Sequence, residues 1–331
     1  MRNVIILGIH RGMNEVEALD ITQEIGRAGR VGLDPKGDAY ILLPESKFEH
    51  YKKWCQNIPP ITSTFNDEGI LAFHVVSEIC EEEVTDYKSL MEWYNRSLAA
   101  FQHDFVDKLE VKKMIEKLEK LQIIDIEKDK YKITKLGQVA AHLYFNPYSV
   151  AGWYFNFNKI FKENIINDYA ISWALANISD NFGGYIPKEY KDQTESFMNN
   201  CRRNGLEIKD NPAFMGMVYY SCLTYAEGMS DFVKNAVKFD FERVSSALSM
   251  IDSRYANWGE DKFWNKLSLR IQYEVTDEQA ELCTLKGIGG AYTRKLFNAG
   301  IKFIRQIKGN ETAMKVLGKK IYEKVVLENN L

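Results

Sequence analysis

The stretch Gln23-Glu24-Ile25-Gly26-Arg27-Ala28-Gly29-Arg30 decides how this chain is read. Two arginines stand three residues apart among small residues, ahead of Gly37-Asp38-Ala39-Tyr40-Ile41-Leu42-Leu43. In a helix, Arg27 and Arg30 would project from one face, a turn apart. Gly26, Ala28 and Gly29 would leave the backbone uncovered, so that a bulky anion can approach both guanidiniums. Arginine suits that task because its planar fork offers phosphate several donors and keeps its charge. For a lone Gly-x-x-Arg the plain alternative is a surface turn, so the rest of the chain must decide.

Outward from the stretch, residues 3–7 and 39–43 read as buried strands. A short turn region (His10 to Asn14) and the arginine-bearing helix lie between them, followed by the turn Asp34-Pro35-Lys36-Gly37. Continuous apolar strands of this kind belong to parallel sheets covered on both faces. Two strands and one helix cannot complete such a sheet, so residues 1–48 read as the C-terminal remnant of an α/β domain. No Gly-x-x-x-x-Gly-Lys-Ser/Thr occurs, and no Asp-Glu-x-His or Asp-Glu-x-Asp follows a strand. Without a phosphate-cradling loop and a carboxylate for magnesium, the chain is not expected to hydrolyse ATP alone.

A chain of 331 residues with 45% apolar content has room for two or three packed domains. No run of about 20 apolar residues is present to span a membrane. Five cysteines (55, 80, 201, 222, 283) are scattered without a CxxC or a nearby histidine. That pattern indicates buried thiols in a reducing cytoplasm and no metal site. The net charge of −3 is unevenly spread. Residues 285–324 hold ten Lys/Arg against two acids, so this segment carries +8 and the remainder −11. The C-terminal end is the polyanion-facing part.

After a linker at 49–62 containing Pro59-Pro60, the pattern turns helical. Ala72, Val75, Val76 and Ile79 share a face, with Asn66 or Asp67 as N-cap; a second helix is expected from about Thr85 to Phe101. A third carries Val111, Ile115 and Leu118, and residues 123–133 read as a hairpin. Helices followed by a small hairpin, residues 63–145, indicate a winged helix, acting either as scaffold or as DNA reader. Thr134-Lys135-Leu136-Gly137 opens a further helix, stopped at Asn146-Pro147. Residues 146–275 read as an aromatic-rich helical bundle. Within it, a helix from Asp240 to about Tyr255 sets Arg243 and Met250 on one face. In residues 276–331, Thr276-Asp277-Glu278 caps a helix and Lys286-Gly287-Ile288-Gly289-Gly290 joins it to another bearing Arg294 and Lys295. This is a helix-hairpin-helix, whose glycines and helix N-terminus let backbone N–H groups hold a phosphate without reading bases. Val316-Leu317-Gly318-Lys319-Lys320 reads as a second, degenerate one.

The order is recognisable: the octet, a winged helix, Thr-x-Leu-Gly opening a bundle, then Gly-Ile-Gly. It resembles the C-terminal half of superfamily 2 helicases of the archaeal fork-repair and polymerase theta type, a group with spliceosomal and RNA-decay relatives. The octet is similar to that superfamily's last conserved motif, Gln-x-x-Gly-Arg-x-Gly-Arg. The tail around Thr293-Arg294-Lys295-Leu296-Phe297-Asn298-Ala299-Gly300-Ile301 resembles the archaeal repair enzymes more than the RNA helicases. The fold class implied is mainly α: a RecA-like remnant, winged helix, helical ratchet bundle and helix-hairpin-helix.

The resemblance implies that Gln23, Gly26, Arg27 and Arg30 line an ATP cleft, the arginines acting as fingers on the γ-phosphate. It puts Arg243 on a translocating single strand, and Met250 where the archaeal enzymes stack a tryptophan on a base. Methionine has no ring face, so stacking there is weaker or replaced. Lys286, Gly287, Gly289, Arg294 and Lys295 would hold the DNA backbone. The connection between Leu7 and Gln23 is shorter than the family's strand-separating hairpin, and Gly289-Gly290-Ala291 stands where the archaeal tail is richer in arginine. Met1 falls just after the family's preceding motif, which fits a split gene, a truncation or a relic; the unpaired sheet favours the first. The expected function is the C-terminal portion of an ATP-dependent 3′-to-5′ DNA helicase in replication or repair. ATP with Mg2+ would bind only when a second polypeptide supplies the motor. The expected ligand is single-stranded or forked DNA. The alternative is a non-enzymatic DNA-binding or accessory protein with a vestigial octet.

Overall fold

A computed structural model describes residues 2–11, 14–29, 32, 36–49, 51–52, 60–102, 108–178, 186–226 and 228–331. The chain is mainly α-helical and divides into two compact units, residues 1–63 and 64–331.

In the first unit, β1 (Asn3–Leu7) pairs in parallel with β4 (Asp38–Leu42), from Asn3 opposite Asp38 to Leu7 opposite Leu42. Between them run a two-residue hairpin, β2 (His10–Arg11) and β3 (Asn14–Glu15), and helix α1 (Ala18–Ile25). The turn expected at His10 to Asn14 is therefore this small antiparallel hairpin. A small core of Ile9, Ile21 and Tyr51, with Ile6, Ile25 and Ile41 against it, covers one face of the pair. The opposite face is bare: Ile5, Leu7, Tyr40 and Leu42 are each more than half exposed. The expectation of strands buried on both faces is corrected here, because among the described residues apolar partners cover only one side.

The second unit begins with α2 (Glu68–Cys80), whose N-cap is Asp67: its carboxylate accepts from the Ile70 N–H at 3.0 Å. The single helix expected over 85–101 is two, α3 (Tyr87–Tyr94) and α4 (Leu98–Phe101). Ser97 breaks it by capping the second piece through the Ala100 N–H. Helix α5 (Lys108–Lys120) buries Val111, Ile115 and Leu118, and the hairpin β5 (Ile124–Glu127) and β6 (Lys130–Ile133) follows. Thr134 then caps α6 (Lys135–Leu143), accepting from the Gly137 N–H at 3.0 Å and donating to the Ile123 carbonyl at 2.9 Å. A Cβ at Gly137 would lie 2.2 Å from that same carbonyl oxygen, so only glycine lets α6 pack this closely on the hairpin.

The remaining helices share one core with these elements. They are α7 (Pro147–Lys162), α8 (Asp168–Ala176), α9 (Lys191–Arg203), α10 (Asp210–Thr224), α11 (Asp231–Lys238), α12 (Phe241–Ile251) and α13 (Asp261–Tyr273). The helix expected over 240–255 is regular only to Ile251, then widens into a π turn, Asp252–Ala256. Buried Asp252 explains the change: its carboxylate accepts from the Gly259 and Glu260 N–H groups and from Trp264 Nε1, at 2.7–2.9 Å. The described cysteines in this unit are free, and burial pushes the Cys201 and Cys222 thiols up to about 12. Such thiols stay protonated and unreactive.

The tail has its own core, built on Leu282, Leu285, Ile288, Leu296 and Val325. Its first helix is 3₁₀ rather than α, over Asp277–Thr284, followed by α14 (Gly290–Asn298), α15 (Glu311–Leu317) and α16 (Lys319–Glu328). No described helix is long and apolar enough to cross a membrane.

Candidate nucleotide and nucleic-acid interfaces

Helix α1 ends before the arginines. Glycine is a poor helix former, and Gly26 is the C-cap, donating to the Thr22 carbonyl at 2.9 Å. Arg27 therefore lies on a turn, and its expected place on a helix face is corrected. The glycines also have a different reason from the one expected. Gly29 sits at φ +68°, where a Cβ would lie 2.5 Å from the Gly37 nitrogen; one on Gly37 would lie 2.3 Å from the backbone of Ala28 and Gly29. The arginine turn and the approach to β4 thus cross backbone on backbone. Gln23, Gly26 and Arg27 are exposed. The Arg27 Nε bonds Glu24 at 3.0 Å, a pair open to water and therefore weak. Arg30 lies outside the described residues. What is displayed is a glutamine and an arginine with free reach; no described group of three or more His, Cys, Asp or Glu gathers to hold a metal ion.

In the second unit, Arg243 opens α12 within a set of contacts that sequence does not reveal. Its guanidinium bonds Asp240 at 2.8 Å and lies 4.3 Å from the centre of the Phe145 ring. Both charged side chains are nearly half exposed and help line a cleft of about 340 Å³ whose walls include Phe145, Trp153, Met215 and Tyr219. Met250, on the same helix, is half-buried and packs on the main core.

In the tail, Leu285 leaves the 3₁₀ helix in extended conformation and Gly287 turns the chain at φ +87°. Gly289, half-buried, caps α14, so the loop sets it and the exposed Gly287 beside a helix N-terminus. Asn329 braces the loop: its side chain accepts from the Lys286 N–H at 2.9 Å and donates to the Lys286 carbonyl at 3.1 Å. Gly318, at φ +77°, joins α15 to α16 in a second hairpin. Lys286, Lys295, Lys302, Lys308, Lys315 and Lys320 are exposed. Arg294 differs. It is half-buried, its Nη1 donates to the Tyr273 and Glu274 carbonyls at 3.1 and 2.8 Å, and its guanidinium lies 3.9 Å from the Tyr225 ring centre. The structure thus binds Arg294 to the bundle, not to solvent.

Two charge clusters lie beyond any sequence signal. Buried Glu274 accepts from Lys234 at 2.6 Å and Lys238 at 2.7 Å. Burial alone would raise the Glu274 carboxyl, yet the two lysines hold it below its ordinary value. Arg270, also buried, bonds Asp168 at 2.8 Å and the Leu223 carbonyl at 3.0 Å. Partners 36 to 102 residues apart cannot be paired by inspecting a single sequence.

Comparison with known proteins finds homologues at low identity among archaeal Hel308 DNA helicases and a subunit of the activating signal cointegrator 1 complex. The chain is 27% identical over 337 residues to the ATP-dependent DNA helicase Hel308 of Methanocaldococcus jannaschii, covering 96% of this chain and 27% of that protein. It is 24% identical to the Methanococcus vannielii Hel308 helicase, covering 100% of this chain and 52% of the relative. Activating signal cointegrator 1 complex subunit 3 of Bos taurus is 28% identical over 216 residues, covering 58% of this chain and 9% of that protein. The chain thus spans about half, or less, of the length of these relatives. No protein-family model matches it.

Proposed function

We propose that this chain is the C-terminal portion of an ATP-dependent 3′-to-5′ DNA helicase acting in replication or repair. The observation that carries this reading is its match to Hel308 DNA helicases over 96% of its length. The first unit is the end of a RecA-like domain. Residues 63–145 act as the winged helix, 146–275 as the ratchet bundle and 276–331 as the helix-hairpin-helix.

Gln23, Gly26, Arg27 and Arg30 form one wall of a nucleotide site whose phosphate loop and Mg2+ ligands come from a motor half on another polypeptide. ATP with Mg2+ supplies the phosphoryl group and its charge neutralisation there. This chain's part is to present guanidiniums to charge that grows during transfer. The Arg27–Glu24 pair does not oppose this: an exposed ion pair is worth at most about 1 kcal/mol, little against a phosphate. Arg243 and Met250 track the single strand, while Lys286, Gly287, Gly289 and Lys295 hold backbone phosphates near the hairpin. Arg294, assigned to that group on sequence alone, is set apart from it because its Nη1 is engaged by the Tyr273 and Glu274 carbonyls and its face lies on Tyr225.

The test is ATPase activity in the presence of single-stranded DNA. The chain alone is expected to be inactive, and a polypeptide carrying the phosphate loop should restore activity. Arg27→Ala should then lower the restored rate by about 10³-fold, as for other arginine fingers. An unchanged rate would remove Arg27 from the site. Failure of every such partner to restore activity, with DNA binding intact, leaves the accessory-protein reading.

A further inference from the structure

The C-terminal end of α13 is a junction to which both strand-facing parts of the second unit are tied. The Glu274 backbone adopts the left-handed conformation, φ +52°, and so turns its carbonyl and its carboxylate to different neighbours. The carboxylate takes Lys234 and Lys238, both on α11. That helix continues into α12, and Arg243, through Phe239 and Asp240 alone. The carbonyl, with that of Tyr273, takes the Arg294 Nη1 of α14. A Cβ on Gly290 would stand 2.0 Å from the Tyr273 carbonyl oxygen, so α14 seats against α13 only because glycine opens it.

Resting on the nucleic-acid reading above, we infer that Arg294 is a positioning residue. It fixes the Gly287–Gly289 hairpin relative to Arg243, so that both grip one single strand as a bivalent unit. Two weak sites on one rigid body bind a strand that reaches both far more tightly than either site alone. The gain is lost when their separation varies. A guanidinium suits the task because it donates to two carbonyls while its face lies on Tyr225. A lysine ammonium keeps the charge without reproducing that planar arrangement.

The experiment is a titration of the full chain with oligothymidylates of increasing length. The wild type is expected to show a rise in affinity of at least tenfold once a strand reaches both sites. Arg294→Ala and Arg294→Lys should both abolish the rise while leaving the affinity for short strands within twofold. Gly290→Ala, which changes no charge, should do the same; melting curves establish that each variant is folded. Wild-type behaviour of Arg294→Lys, or equal losses for short and long strands in Arg294→Ala, would overturn the inference, since either marks a direct phosphate contact. A wild type that binds without a length-dependent rise, and that Lys286→Ala weakens, keeps the nucleic-acid reading and sinks this one. No binding at any length removes both.

Discussion

Arg243 shows how a residue found by resemblance acquires a physical state. Its spacing put it on a helix face with Met250, and the resemblance implied a single strand there; the structure adds that it is held by Asp240 at 2.8 Å and by the Phe145 ring. The ring contact survives phosphate binding, because a guanidinium can stack by its face while donating from its edge. The Asp240 bond does not favour phosphate binding, since the carboxylate competes for the same edge. Asp240→Asn should therefore tighten single-strand binding by up to about fivefold, the worth of an exposed ion pair. Its amide gives up no helix-capping bond, because the Asp240 side chain makes none. Arg243→Ala should erase that gain and, in the reconstituted helicase, impair unwinding more than affinity. Weaker binding by Asp240→Asn in an anisotropy titration would contradict the competition. Arg27 falls outside α1 for a local reason: Gly26 is a helix-stop signal, and a glycine before an arginine ends a helix as readily as it clears the backbone.

Elements were legible where their cause was local. Asp67 and Thr134 as caps, the spacing of Val111, Ile115 and Leu118, and the 124–133 hairpin are each set by neighbours in sequence. The break between α3 and α4 was also written locally, in Ser97, but a continuous helical pattern hid it. What sequence could not supply was the joining of elements by buried charge. Glu274 links α11 to the end of α13, and its pH behaviour follows. Its carboxyl is lowered from 4.5, so its stabilisation is present above that value and lost as pH falls through the lower, folded-state value. Burial would lower Lys234, but its bonds to Glu274 and Asp231 outweigh that and raise it above 10.5. The lysine's share therefore persists at neutral pH and is lost only as pH rises through the raised value. Glu274→Gln should destabilise the second unit by about 3 kcal/mol at neutral pH, because buried Lys234 then keeps only the exposed Asp231 as an anionic partner. The difference from wild type should shrink on acidification below 4.5, which denaturant titrations at several pH values would measure. A difference that stays constant into acid would dissociate Glu274 from the junction.

For the whole molecule, the first unit poses the sharper question. Its two parallel strands have apolar side chains of buried type on both faces, but among the described residues α1 and its neighbours cover only one. Ile5, Leu7, Tyr40 and Leu42 make a bare row in which Leu7 and Leu42 stand opposite in register. Parallel sheets rarely leave a face in water, and contiguous apolar patches mark places where something else packs. In the proposed function that something is the motor half, whose remaining sheet and helices would cover the row. Leu42→Asp places a charge within the proposed contact, and burying it unpaired would cost several kcal/mol. It is expected to abolish restoration of ATPase activity by a phosphate-loop polypeptide while leaving single-strand affinity, which belongs to the second unit, within about twofold. An apolar exchange, Leu42→Met, should keep restoration, because volume-conserving swaps cost less than about 1.5 kcal/mol. If Leu42→Asp supports the same restored rate as wild type, the bare face is not where the two halves meet, and the arginine turn must be presented to its nucleotide by another surface.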